Sequence, residues 1–354
     1  MRCRDLRSTT MTAIVDLRSD TLTQPTVAMR RAMADAVVGD DANGEDPTTK
    51  ALEEKFAELV GKPAALFTPS GTMANQLIVR VLTKPGTSVV AGRSQHLVAW
   101  ENGAASINSG VQFHSLDDRD GTVDPDEVSM AAALAEHHQL SPSLVSVEDT
   151  HMASGGRVWP LDRLRAVYVA AIAAGLPMHL DGARLFNAAV ASSTSGSGSV
   201  TAALRERAAC ATTLMCCMSK GLGAPVGSLL AGPADVIAAA RVERQRFGGN
   251  MRQSGILAAA GLLALDTHVE RLADDHRRAL RLAHAVANRW ANCIDMVSVQ
   301  TNLVVFAPPN ADAVLAELAA GGVMAGTLAP GVIRLVTHLD VDDANIEQVL
   351  SLIG

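Results

Sequence analysis

The chain has 354 residues, 48% of them hydrophobic and only 3% aromatic, and its formal net charge is -7 at pH 7. A chain of this length exceeds what one hydrophobic core usually supports, so we expect one large and one smaller domain. The acidic balance argues against nucleic acid and against an anionic membrane surface as partners, and the few aromatic residues leave little surface on which bases could stack.

The N-terminal residues and the cysteines indicate the compartment. Residues 1–11 are basic but lack the apolar core of a secretory signal, and we expect them to form a disordered tail. The chain has five cysteines, and no two of them form a CxxC motif. They are Cys3, Cys210, Cys216, Cys217 and Cys293. This pattern suits a reducing compartment, so we expect a cytoplasmic protein. We expect no metal site, because adjacent Cys216 and Cys217 suit small buried side chains better than ligands.

Between about residues 50 and 230, short apolar strands alternate with amphipathic helices, which is typical of a mostly parallel sheet. The predicted strands are 64–67, 88–91, 111–114, 144–148, 177–180, 212–218 and 227–231. A serine- and glycine-rich stretch, 191–199, is predicted to be a mobile surface loop.

Beyond residue 262 the pattern changes. A charged helix over 269–290 is followed by an apolar segment at 296–306, an alanine-rich helix and a final strand at 332–336. We therefore expect an α/β fold, with a large domain over 12–265 and a smaller C-terminal α+β domain over 266–354.

The first candidate binding element is a strand, a tight turn and a helix between residues 64 and 82. The turn carries Ser70, Gly71 and Thr72, and the helix is predicted over 72–82. Free N–H groups and the positive end of the helix dipole make such a turn suitable for a phosphate. The same turn also caps many helices that bind nothing, so by itself it does not identify a ligand.

Two further strands end at charged residues. Strand 177–180 stops at Asp181, and strand 212–218 stops just before Lys220, which a glycine loop follows. If the two strands are parallel neighbours, both residues lie at the carboxyl edge of one sheet. Burial there lowers the pKa of a lysine and frees its amine to form a Schiff base, while a carboxylate can keep a pyridine nitrogen protonated. With the phosphate turn, these residues favour pyridoxal phosphate as cofactor.

These residues belong to a longer series of motifs that runs from Asp16 to about Asp340 and includes the blocks 16–21, 69–73, 179–187, 219–227 and 334–338. In order and spacing the series resembles the low-specificity L-threonine aldolases of the β-eliminating lyase group, which are fold type I pyridoxal phosphate enzymes. The resemblance implies retro-aldol cleavage of L-threonine, L-allo-threonine and related β-hydroxy-α-amino acids to glycine and an aldehyde. It also implies a homodimer or homotetramer with shared active sites.

The resemblance assigns the cofactor contacts by position. Lys220 would carry the cofactor, Asp181 would hold the pyridine nitrogen, and Ser70, Gly71 and Thr72 would hold the phosphate. His96 would stack on the ring, and Arg252 would reach the phosphate from the neighbouring subunit.

The resemblance also assigns the substrate contacts. Ser19, Arg184 and Arg334 would hold the substrate carboxylate, with Arg184 also close to the cofactor. His96 or His138 would act as the catalytic base.

Two alternatives remain open at this point. The same residues could support β-elimination or transamination, because the bond that breaks depends on how the substrate is oriented. The chain could also be a cofactor-free oligomeric scaffold. One departure from the family pattern concerns side-chain preference: Ala42 and Asn43 stand where the family usually shows a tyrosine.

Overall fold

The structure, a computed structural model, describes residues 14–133, 139–195 and 198–354 and divides its strands between two sheets. The strands are β1 (Val15–Leu17), β2 (Ala64–Thr68), β3 (Ser88–Gly92), β4 (Gln112–Leu116), β5 (Pro142–Glu148), β6 (Met178–Asp181), β7 (Thr213–Cys217), β8 (Ser228–Gly232), β9 (Leu303–Phe306), β10 (Val323–Ala329) and β11 (Val332–Val336). The α-helices are α1 (Val27–Ala34), α2 (Pro47–Val60), α3 (Gly71–Leu82), α4 (His96–Ala99), α5 (Ala104–Ser109), α6 (Pro125–Ala133), α7 (Leu161–Ala173), α8 (Leu185–Ser195), α9 (Val200–Ala209), α10 (Ala234–Arg246), α11 (Gly255–Thr267), α12 (Leu272–Arg289), α13 (Ala311–Ala320) and α14 (Asp343–Ile353).

The larger sheet has the order β2-β8-β7-β6-β5-β3-β4. Its neighbours from β7 to β4 are parallel, whereas β8 runs against both β7 and β2. Because β8 is antiparallel to both of its neighbours, β2 points the same way as the parallel strands. The carboxyl ends of six strands therefore meet at one edge. The expected mostly parallel α/β sheet is confirmed, and every predicted strand of this sheet is present to within two residues.

The strands of this sheet are buried on both faces. Along β7, Leu214 and Cys216 join one apolar cluster, while Met215 and Cys217 join the cluster on the opposite face. Successive side chains of a strand point to opposite faces, so both cysteines become buried apolar residues, as the sequence predicts.

The prediction of a loop at 191–199 is wrong for the first half of that stretch, because α8 continues to Ser195. Two hydroxyls explain this: Ser192 donates to the Ala188 carbonyl at 2.8 Å, and Thr194 donates to the Val190 carbonyl at 3.0 Å. These bonds satisfy the polar side chains within the helix, so they need not leave it. Residues 196 and 197 lie outside the described chain.

The smaller sheet has the order β1-β10-β11-β9 and packs with α12, α13 and α14. The predicted final strand and the predicted charged helix are present as β11 and α12. The N-terminal strand β1 pairs in parallel with β10, which the local sequence pattern does not indicate. The division of the chain at residue 265 stays a prediction. Within the described ranges, no helix is long and apolar enough to span a membrane.

Candidate active site

A cavity of about 270 Å³ opens at the carboxyl edge of the larger sheet. Its walls come from the turns that follow β2, β3, β6 and β7. The polar residues that line it are Ser70, Thr72, Asn75, His96, Asp181, Ser219 and Lys220. Five residues predicted for the cofactor, together with the backbone of Gly71, therefore surround one space.

Lys220 and Asp181 reach this cavity because their strands are neighbours. β6 pairs in parallel with β7, as predicted, with Asp181 opposite Met215. The connection between them contains two helices, α8 and α9. The Lys220 carbonyl accepts a hydrogen bond from the Gly223 N–H at 2.8 Å, so a tight turn fixes the lysine, whose side chain is half-buried.

Asp181 is buried at the floor of the cavity. It accepts hydrogen bonds from Asn75 Nδ2 at 2.7 Å and from the Ala183 N–H at 3.1 Å. Glu148 lies close by at the end of β5, and burial together with the charge of Asp181 raises the pKa of this carboxyl. The two carboxyl groups therefore repel each other, and a protonated pyridine nitrogen beside Asp181 would relieve this repulsion.

His96 follows β3 and begins α4. Its Nδ1 lies 3.0 Å from Glu101 Oε1, and its backbone N–H donates to Glu148 Oε2 at 2.6 Å. Burial alone would lower the pKa of His96, but the hydrogen bond to Glu101 and the charges of Asp181 and Glu101 raise it. His96 lines the cavity, and among the described residues its Nε2 has no hydrogen-bond partner, so this nitrogen can exchange a proton with a bound molecule.

The phosphate turn has the expected form. Ser70 caps α3, since its Oγ accepts from the Met73 N–H at 3.1 Å. Gly71 is required by packing, because a Cβ there would lie 2.6 Å from Met215 Cε and 2.7 Å from Cys217 Sγ. The first N–H groups of α3 lack partners within the helix and can bind an anion at the cavity.

Arg184 is held by a buried carboxylate. Its Nε and Nη2 donate to the two oxygens of Asp20 at 2.7 and 2.6 Å, and Asn302 also donates to Asp20 at 3.2 Å. Burial alone would raise the pKa of Asp20, but the charge of Arg184 and its hydrogen bonds lower it to about 2. The charge of Lys220 also lowers the pKa of Asp20, so this ion pair lies near the lysine.

Arg334 is a half-buried cation without a carboxylate partner in the described chain. Its Nη2 donates to the Arg18 carbonyl at 3.1 Å, its Nη1 contacts Met152 Sδ at 3.7 Å, and its buried Nε has no hydrogen-bond partner among the described residues. Burial and the charge of Arg184 lower its pKa. Two guanidinium groups therefore act on each other near the cavity, and an anion placed between them would be stabilised.

Arg184 and Arg334 do not line the cavity, and neither do the predicted residues Ser19 and Arg252. Ser19 Oγ accepts from the Thr21 N–H at 3.2 Å, next to Asp20. Arg252 has a 67% exposed side chain that pairs with Asp40 at 2.9 Å. His138 lies outside the described residues.

Sequence reasoning missed Asn75, Glu101 and Asp20. Asn75 and Asp20 act through partners that are 26 to 282 positions away in the chain, so no local motif identifies them, whereas Glu101 lies only five positions from His96. A signal exists for Asn75, because it and Gln76 are polar residues on an otherwise apolar stretch of α3 and both are buried.

Comparisons with known proteins agree with this geometry. Residues 16–308 match the family model described as beta-eliminating lyase. The chain is 39% identical over 339 residues to the low specificity L-threonine aldolase of Escherichia coli (strain K12), which covers 95% of this chain and 97% of that protein. It is 44% identical over 273 residues to an uncharacterized Caenorhabditis elegans protein, a match that covers 77% of this chain but only 64% of that longer protein. Among solved structures, Leishmania major threonine aldolase has the same fold, with a TM-score of 0.79, 20% identity, and coverage of 96% of this chain and 98% of that chain.

Proposed function

Because the chain belongs to the beta-eliminating lyase family and, within it, to the low-specificity L-threonine aldolases, we propose that it is a pyridoxal phosphate-dependent carbon–carbon lyase. It cleaves L-threonine, L-allo-threonine and related β-hydroxy-α-amino acids to glycine and an aldehyde. The observation that carries this proposal is the convergence of a lysine, a buried aspartate and a helix N-terminus on one cavity.

The residues around the cavity fit the cofactor. Lys220 would hold its aldehyde carbon, Asp181 its ring nitrogen, and the N-terminus of α3 with Ser70 and Thr72 its phosphate. When bound, pyridoxal phosphate withdraws electrons from the bonds at Cα of an attached amino acid, and Asp181 strengthens that withdrawal by keeping the ring nitrogen charged.

The substrate carboxylate would bind between the two guanidinium groups. Among the described residues, Arg334 has a buried Nε without a hydrogen-bond partner and no carboxylate paired with it, whereas Asp20 holds Arg184 in one orientation. Ser19 stands next to Asp20 and would add a hydroxyl. This clamp would orient the Cα–Cβ bond relative to the cofactor ring and so select which bond breaks.

The β-hydroxyl proton needs an acceptor. His96 Nε2 would take it, since Glu101 occupies the Nδ1 side and stabilises the protonated ring. His138 stays an alternative base by resemblance. One additional methyl group in an apolar pocket discriminates by only about 1–3 kcal/mol, so analogues of threonine are expected to react as well.

The proposal includes an assembly. A homodimer or homotetramer would bring the exposed Arg252 of one subunit to the phosphate of another. The free cysteines of the described chain suit a reducing compartment, and a cytoplasmic location is part of the proposal.

The test is a product analysis of the purified protein. With L-threonine and L-allo-threonine we expect glycine and acetaldehyde, with phenylserine we expect benzaldehyde, and with Lys220→Ala we expect neither activity nor borohydride labelling of the cofactor site. Keto acids in place of glycine would instead indicate elimination or transamination. A colourless wild-type protein that borohydride fails to label would indicate a scaffold.

A further inference from the structure

Asn75 links the two buried carboxylates of the site. Its Nδ2 donates to Asp181 Oδ2 at 2.7 Å and to Glu101 Oε1 at 2.8 Å. The residue is only 1% exposed and lies in α3, the helix whose N-terminus faces the cavity. The two hydrogens of one amide nitrogen thus bind two carboxylates with different roles. Asp181 would contact the pyridine nitrogen, and Glu101 contacts His96.

The orientation of this amide follows from its neighbours. Ionised carboxylates only accept hydrogen bonds, so the NH₂ group must face them and Oδ1 must face His179 Nε2, which lies 3.1 Å away. His179 Nε2 therefore carries the proton. Burial lowers the pKa of His179 to about 4, so the ring is neutral near pH 7 and its Nδ1 accepts from the Thr213 hydroxyl at 2.9 Å.

Hydrogen bonds thus run in one direction from β7 to the cavity. Thr213 donates to His179, His179 donates to Asn75, and Asn75 donates to both carboxylates. Each donor in such a chain polarises the next, which strengthens the last bonds. This series of hydrogen bonds fixes Asn75 in one rotamer and one amide orientation without adding any charge.

A neutral donor is the right chemistry at this position. Oxygens of Asp181 and Glu101 and a nitrogen of His96 lie within 4.8 Å of one another, and like charges at this distance repel. An aspartate in place of Asn75 would add to the repulsion, whereas a lysine would pair with Asp181 and weaken its attraction for a ring nitrogen. An amide stabilises both acids and leaves their charges for other partners.

We propose that Asn75 is a positioning residue that holds Asp181 for the cofactor ring nitrogen and, at the same time, Glu101 for His96. The inference rests on the proposed function, because it assigns Asp181 to the cofactor. It adds a coupling: one side chain sets the geometry of both the electron-withdrawing contact and the base.

The neighbouring Gln76 supplies a matched control. It is equally buried on α3, and its Nε2 donates to Glu101 Oε2 at 2.7 Å, but it has no bond to Asp181. Replacing Gln76 therefore disturbs the histidine side alone, whereas replacing Asn75 disturbs both sides.

The experiment measures the Kd of pyridoxal phosphate for the apoproteins by absorbance titration. We expect Asn75→Leu to bind at least about tenfold more weakly than Gln76→Leu, since a hydrogen bond to a charged group has this effect on an equilibrium.

A second pair covers the case in which the leucine variants do not fold. Asn75→Asp is isosteric and keeps an acceptor for His179, and Gln76→Glu is its control; the same ratio of about tenfold is expected. A smaller ratio in the pair that folds overturns the inference while leaving the proposed function intact. Wild-type protein that fails to bind pyridoxal phosphate overturns the proposed function and the inference with it.

Discussion

The pairing of Asp20 with Arg184 gives the site its most tightly held side chains. Both groups are buried, and two hydrogen bonds join them. The folded pKa of Asp20, about 2, is below the ordinary value, so the pair stabilises the folded state above about pH 4 and loses that contribution between about pH 4 and pH 2.

Asp20→Asn is therefore expected to lower the free energy of unfolding by about 3–5 kcal/mol at pH 7, because it leaves the Arg184 charge buried without a partner. The difference from wild type should shrink as the pH falls from 4 to 2, where the wild-type carboxyl is itself protonated. Urea unfolding of the apoproteins at several pH values measures this. Asp16→Asn is the control, since its exposed pair with Arg18 contributes at most about 1 kcal/mol. A difference that stays constant over the pH range would contradict the assignment.

The raised pKa of His96 predicts where activity is lost on acidification. A base must be neutral, so the acid limb of kcat/KM should lie above the ordinary histidine value of about 6.5. Glu101→Gln removes the charge that stabilises the protonated ring, which should move the limb to lower pH. The pH profile of threonine cleavage checks this, with His96→Asn expected to lose the limb altogether. A limb that does not move in Glu101→Gln would assign the base to another residue.

Residues that end strands could be predicted, whereas residues that act across the fold could not. Asp181 and Lys220 follow apolar strands directly, so the change from apolar to polar sequence marks them. Asn75 and Asp20 matter through partners more than 100 positions away in the chain, and those contacts exist only once the sheet has formed. Arg184 illustrates the difference: the resemblance predicts that it contacts the substrate, whereas nothing in the sequence indicates its carboxylate partner.

At the scale of elements, the start of α3 depends on how closely the helix approaches β7. Gly71→Ala should cost about 1–3 kcal/mol of stability, because the added Cβ would overlap Met215 and Cys217. Thr72→Ala, one residue further and exposed, should change stability by less than about 0.5 kcal/mol. Thermal unfolding of the apoproteins separates the two. Equal stabilities would show that the helix can shift away from the strand without cost.

Elements with a clear local period were predicted, and those defined by distant pairing were not. The strands of the larger sheet are short apolar runs between turns, and β11 has the bounds that the sequence indicates. The pairing of β2 with β8 and that of β1 with β10 depend on partners far along the chain. The helix α14 was missed although Asp342 and Asn345 form a capping box at its start, a signal that the sequence does contain.

At the scale of the whole molecule, one surface suits contact with another copy of the chain. Helix α1 packs against α11, and beside this pair Val27, Val37 and Ile256 have side chains that are 85%, 70% and 44% exposed. Arg252 stands just before α11 and is also exposed. Exposed apolar residues on these helices, with an exposed arginine four positions before Ile256, would suit the shared site that we propose.

A subunit-mixing experiment tests whether the site is shared. We expect Lys220→Ala to be nearly inactive because it lacks the residue that would carry the cofactor. We expect Arg252→Ala to be nearly inactive because it lacks a contact to the phosphate. If Arg252 serves the partner's site, a hybrid dimer of the two variants has one site with both residues intact. Random exchange makes half of the dimers hybrid, so about a quarter of the wild-type activity should return after mixing. Native mass spectrometry must show that hybrid dimers have formed. If the activity of the mixture then stays at the sum of the two parent variants, Arg252 acts only within its own subunit. Its pair with Asp40 is in that case structural.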